Sequence, residues 1–133
     1  MTVWNGLTPR GYEPRQRAID ETRQVAIQQG GTVELTHDPR AAAEGAQVLY
    51  TDVWTSMGQE DERARRLDEL AGFGIDAELL SVASEGAIVM HCLPAHYGEE
   101  ITENVLYGPQ SAVWDQAENR LHAQKAILAL VVG

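Results

Sequence analysis

The sequence predicts an α/β protein, a parallel sheet flanked by helices, and two observations carry that prediction. Three short apolar runs end abruptly in polar residues. Residues 47–51 run into Asp52-Val53-Trp54-Thr55-Ser56-Met57-Gly58, Ala87-Ile88-Val89-Met90 into His91-Cys92-Leu93-Pro94, and residues 111–114 into Asp115-Gln116-Ala117-Glu118-Asn119-Arg120. Such runs read as strands buried on both faces, whose C-terminal tips leave the sheet carrying polar chemistry. Segments of helical period separate the strands throughout, which is the pattern of a parallel sheet.

The elements follow in order. Thr2-Val3-Trp4 is a short strand candidate with no βα unit before it. Pro14 fits the first turn of a helix. Ala18, Ile19, Thr22, Val25 and Ala26 recur at helical spacing, and Gly30-Gly31 ends that helix. Thr32-Val33-Glu34-Leu35-Thr36 alternates as a strand, and Asp38-Pro39 caps a short helix through Ala43. After the strand at 47–52, Glu60, Asp61 and Glu62 favour a helix start through the dipole, with Ala64, Leu67, Leu70 and Ala71 as its buried stripe. Asp76 starts another short helix through Val82. Beyond the strand at 87–91, Thr102 caps a helix that stops before Gly108-Pro109. A last strand at 111–114 precedes a helix from near Ala117 to about Val132. A doubly wound domain usually opens on a strand at the middle of its sheet. The expectation is therefore a Rossmann-like sheet that lacks its first βα unit.

The length of 133 residues suits one domain able to bury a core without a disulfide or metal. Cys92 is the only cysteine, so no intramolecular disulfide can form. No apolar run reaches the length of a membrane span, and Met1-Thr2-Val3-Trp4-Asn5 lacks the regions of a signal peptide, so a cytoplasmic location is expected. The net charge is −10, yet residues 1–40 balance five arginines against five acids, so the excess lies in 41–133. An acidic surface argues against nucleic acid and anionic membrane as partners. Lys125 is the only lysine, a bias that suits high salt or a GC-rich genome equally.

Three strand tips place Asp52, Cys92 and Arg120 near one edge of the sheet, where open α/β sheets bind ligands. Asp52 could hold a substrate ammonium group, or stabilise its own loop. Ser56-Met57-Gly58 suits a closing loop, or an ordinary turn. Cys92 could be a nucleophile if a base lies near, but a small buried residue is the commoner reading, and His91 should point to the opposite face. A zinc site from His91, Cys92 and His96 lacks a fourth ligand, so no metal is expected. His37 and His122 are expected to be solvated or satisfied locally. Arg120, expected in the first turn of the last helix, opposes the dipole there and suggests an anionic or carbonyl ligand, with Glu118 as an internal alternative.

Together these segments closely resemble the ornithine carbamoyltransferase family. The resemblance rests on Asp52-Val53-Trp54-Thr55-Ser56-Met57-Gly58, on His91-Cys92-Leu93-Pro94 and on Glu118-Asn119-Arg120-Leu121-His122-Ala123-Gln124-Lys125, with Thr8-Pro9-Arg10-Gly11-Tyr12-Glu13-Pro14 beside them. The Ser-Met-Gly loop and the cysteine of His-Cys-Leu-Pro separate it from aspartate carbamoyltransferase. The resemblance implies the substrates L-ornithine and carbamoyl phosphate, the products citrulline and phosphate, no cofactor, and a trimer for the full-length family. It implies that Asp52 holds the ornithine side-chain amine, that Ser56 and Met57 close on its amino-acid end, that Cys92 and Leu93 line the junction of the substrates, and that Arg120 contacts the carbamoyl group. The family's Ser-Thr-Arg-Thr-Arg phosphate cradle, its His-Pro-x-Gln segment and its Asp-Gly-x-Asn-Asn strand do not occur in these residues, and Tyr97 stands where an arginine is frequent. The expectation is that residues 1–133 form an incomplete ornithine-binding domain without the carbamoyl-phosphate domain, inactive alone. A non-catalytic amino-acid-binding module or a split-enzyme subunit completed by another chain is the alternative. A Cys-dependent hydrolase, with His91 or His96 as base, ranks last.

Overall fold

The computed structural model describes residues 2–55 and 60–132. Four strands form: β1 Val3–Leu7, β2 Thr32–Thr36, β3 Val48–Thr51 and β4 Ile88–His91. The helices are α1 Gln16–Gln28, α2 Pro39–Ala43, α3 Arg63–Glu69 after a 3-10 turn at Glu60–Glu62, α4 Ala77–Ser81, α5 Glu103–Leu106 and α6 Val113–Val132. β1 pairs with β2 and β3 with β4, both parallel, as two separate two-stranded sheets. The second edges of β1 and β3 remain unpaired among the described residues, and both strands line one cavity of 980 Å³. β1 does not close the sheet, and Trp4 stays 54% exposed.

The core sits on the β3–β4 half. Ala43, Leu49, Ile75, Ala87, Val89, Ile101, Val105, Leu106 and Val113 pack into one buried cluster. Short helices are held by side-chain caps, Asp38 accepting from the amides of Arg40 and Ala41, and Asp76 from that of Leu79. Of the expected α1 stripe only Ile19 is buried, and the helix packs chiefly against β2. In the α3 region Leu70 is buried and Leu67 half-buried, whereas Ala64 and Ala71 are exposed.

Two expectations need correction. The strand at 111–114 reduces to one bridge, Val89 with Ser111, and α6 starts at Val113. The Ser111 hydroxyl turns to the Val113 amide at 3.5 Å, and Gln116 N–H already bonds the Ala112 carbonyl, so the chain enters a helix where the apolar run suggested a strand. Thr102 makes no side-chain cap of α5; its hydroxyl donates to the Ile75 carbonyl at 3.5 Å.

Candidate active site

β3 and β4 pair with Thr51 opposite His91, so the residues just beyond, Asp52 and Cys92, emerge side by side at the C-terminal edge. The Cys92 thiol donates to Asp52 Oδ1 at 2.9 Å, and the Val53 amide donates to the same oxygen at 2.7 Å. Burial pushes the Cys92 thiol above its ordinary value, and the Asp52 carboxylate, which accepts its proton and would repel a thiolate, adds to the shift. Cys92 is therefore a hydrogen-bond donor rather than an activated nucleophile.

His91 faces away from it and is fully buried. The Leu93 amide donates to His91 Nδ1 at 2.8 Å, which leaves the ring proton on Nε2 to donate to Glu100 Oε1 at 3.1 Å. Both ring nitrogens are thus occupied, which removes His91 as a base for Cys92 and as a ligand in a His91, Cys92, His96 zinc set. Glu100 is itself fully buried, and its Oε1 also accepts the His96 amide at 2.6 Å. Gly74 makes this approach possible: a Cβ there would lie 2.5 Å from the Glu99 carbonyl. The network ends on Leu93, whose φ of 58° is unusual for a residue with a side chain and which precedes a cis peptide to Pro94. A left-handed conformation at such a residue costs roughly 1–2 kcal/mol and persists where its surroundings enforce it.

Gln116 on α6 escaped the sequence reading. Its Oε1 accepts the His91 amide at 3.1 Å, and its Nε2 donates to the Tyr50 hydroxyl at 3.0 Å, tying the last helix to both strand tips. The available signal was only a polar residue following the third strand-like run.

Arg120 does not stand in the first turn of its helix. It lies seven residues beyond Val113, roughly 10 Å along the axis, on the face that carries Gln116 one turn earlier. It is exposed, and no hydrogen bond or ion pair joins it to another described residue. Glu118 is not its partner but lies 3.8 Å from His122. His37 receives no special role: its Nδ1 meets the Thr8 carbonyl at 2.6 Å. Asp52, Cys92 and Leu93 are thus brought together, Arg120 stands out along the helix that crosses their edge, and Ser56 and Met57 lie outside the described residues.

A parallel α/β architecture with polar side chains gathered at C-terminal strand ends defines a ligand-binding domain of the Rossmann type. Comparison with known proteins narrows this. Residues 2–131 match the family "Aspartate/ornithine carbamoyltransferase, Asp/Orn binding domain", and the chain belongs to that family. It is similar to the ornithine carbamoyltransferase of Acidothermus cellulolyticus, 56% identical over 94% of this chain and 40% of the relative. It is also similar to that of Synechocystis sp., 55% identical over 100% of this chain and 42% of the relative. The structure resembles ornithine carbamoyltransferase from Pyrococcus furiosus with a TM-score of 0.91 and 51% identity, covering 98% of this chain and 42% of that one. The chain therefore spans about 40% of the length of the curated relatives it matches. Among the described residues no helix is long and apolar enough to cross a membrane.

Proposed function

We propose that residues 1–133 supply the ornithine side of an ornithine carbamoyltransferase site, acting in the cytoplasm within a homo-oligomer, a trimer as in its family. The carrying observation is the contact of Cys92 with Asp52 at adjacent strand tips, 2.9 Å apart. L-ornithine brings an alkyl amine with a pKa of about 10.4, which attacks only when neutral. Asp52 accepts a hydrogen bond from that amine and aims its lone pair. The nitrogen attacks the carbonyl carbon of carbamoyl phosphate, the bond from that carbon to the phosphate oxygen breaks, the nitrogen's proton passes to the departing phosphate, and citrulline and phosphate leave. Arg120 stabilises the negative charge that develops on the carbonyl oxygen. Cys92 and Leu93 line the junction of the two substrates, and Ser56 and Met57 contact the amino-acid end of ornithine. No covalent enzyme intermediate is required, which agrees with a thiol held protonated.

The phosphate-binding half comes from outside these residues in this reading, so the purified chain makes no citrulline alone. The unpaired edges of β1 and β3 favour a second reading beside it, a split-enzyme subunit or amino-acid-binding module completed by another polypeptide. Titration with L-ornithine, followed by NMR, should shift the resonances of Asp52 and Cys92 and fail in Asp52→Asn. Adding the carbamoyl-phosphate-binding part of a relative should yield citrulline if the split enzyme is right. Citrulline formed by the 133-residue chain alone would sink the shared-site reading.

A further inference from the structure

We propose that His96, Glu99 and Glu100 form a binding site for one divalent transition-metal cation with zinc-like preferences, separate from the Asp52–Cys92 site. The three side chains offer a nitrogen and two carboxylates whose donor atoms all lie within 4.8 Å of one another. Acidic clusters are common, and the independent observation is inside this one. Glu100 is fully buried, and its Oε2 has no hydrogen-bond partner among the described residues. Facing it at 4.0 Å is His96 Nδ1, a second buried polar atom with no hydrogen-bond partner among the described residues.

The separation is informative. A direct hydrogen bond needs at most about 3.2 Å, and a water donating to or accepting from both atoms at ~2.8 Å would hold them roughly 4.6 Å apart. Two donors at about 2.1 Å from one ion lie roughly 3.4 Å apart at the tetrahedral angle and up to ~4.2 Å when the angle opens. The observed 4.0 Å is too long for a direct hydrogen bond and must close by about 0.6 Å to reach tetrahedral spacing, while the Glu99 donor, within 4.8 Å of the others, must close by about 1.4 Å at most. Charge points the same way. Buried carboxylates are paired with a cation or coordinate a metal. The hydrogen bonds to Glu100 come from His91 Nε2 and the His96 amide, both neutral donors, while Arg63 pairs with Glu99 instead. Nitrogen and carboxylate donors without sulfur suit zinc, cobalt or nickel. The backbone around the donors is tightly turned: the Gly98 amide bonds the Ile101 carbonyl at 3.0 Å and the Glu99 amide bonds the His96 carbonyl at 3.2 Å.

Calorimetric titration of the 133-residue chain with zinc chloride tests the site. One equivalent should bind, and affinity should fall about tenfold or more in His96→Ala and in Glu99→Gln, both partly exposed positions, while Cys92→Ser leaves it unchanged. Cobalt titration should show weak visible bands without a thiolate charge-transfer band. Absence of stoichiometric uptake means that a proton, not a metal, bridges His96 and Glu100, and overturns the proposal. Uptake that survives His96→Ala but is lost in Cys92→Ser, or a cobalt–thiolate band, moves the metal to the other site and overturns it equally.

Discussion

Each residue at the strand tips is defined by the partner that occupies its polar atom. Cys92 donates a hydrogen bond to Asp52, so its reactivity is set by burial and by that carboxylate. Asp52→Asn removes the negative charge while keeping the shape, and should speed alkylation of Cys92 by iodoacetamide at neutral pH, with the pH profile displaced to lower pH. A slower or unchanged rate would mean that burial alone holds the thiol up. The sign of the stability effect follows from the same shift. The folded chain keeps this proton more tightly than the unfolded one. The contribution is therefore complete below the ordinary thiol value of 9.0 and is lost as pH rises through that value toward the raised one. Cys92→Ser should flatten that alkaline decline. Glu100 plays the corresponding part for the buried side of the tip. Glu100→Ala would strand His91 Nε2–H and the His96 amide without an acceptor, a loss of about 3 kcal/mol, read as lost amide-exchange protection at Val89 and Ile101. Glu100→Gln, which keeps an acceptor oxygen, should cost clearly less. Equal losses would show that the carboxylate's size matters and its hydrogen bonds do not.

Elements were legible in the sequence where a local rule decides them. The caps at Asp38 and Asp76 each start a helix of five residues, a length at which one satisfied amide is a large share of the stability. Asp38→Ala and Asp76→Ala should each cost about 1 kcal/mol. Thr102→Ala should cost less than about 0.5 kcal/mol, since the Thr102 hydroxyl bonds Ile75 and caps nothing. Amide exchange within α2, α4 and α5 checks all three, and a Thr102 effect equal to the others would restore it as a cap. The same locality explains the errors. Ser111-Ala112-Val113-Trp114 has a strand's composition, but only Ser111 meets β4, and the run then satisfies its backbone as a helix. Mistaking that boundary placed Arg120 in a first turn it does not occupy. Asp52 and Cys92 were readable as neighbours because two parallel strands of equal length end in register. Gln116, Glu100 and the left-handed Leu93 were not, because each depends on side chains brought from distant segments. No periodicity records that Glu100 will lie under His91, or that Gly74 will leave the room for it.

At the scale of the molecule, backbone edges and apolar faces remain incompletely satisfied among the described residues. β1 and β3 each carry one edge that no described residue pairs, bordering the same cavity, and β1 is not drawn across to β3. The largest part of α6 is exposed along its apolar residues, with Leu130 at 86% and Val132 at 79%. Unpaired parallel edges recruit other strands, and contiguous apolar faces recruit other surfaces. Against this stands a net charge of −10, which opposes association at low salt and less so as salt screens it. The core of the β3–β4 half is well packed, whereas the β1–β2 half adds only Ile19 to the buried apolar set. The two halves should therefore differ in stability. The purified chain is expected to elute as oligomers on sizing chromatography, increasingly so with added salt, and to unfold over a broad range. Amide exchange should protect β4 and α5 and leave β1 and α1 open. Adding a peptide with the sequence of the segment that precedes the matched region in a relative should sharpen the transition and return the chain to a single size. A monodisperse monomer with one sharp transition and no response to that peptide would mean that the two small sheets are self-sufficient, and that the cavity between β1 and β3 is not a place for another strand.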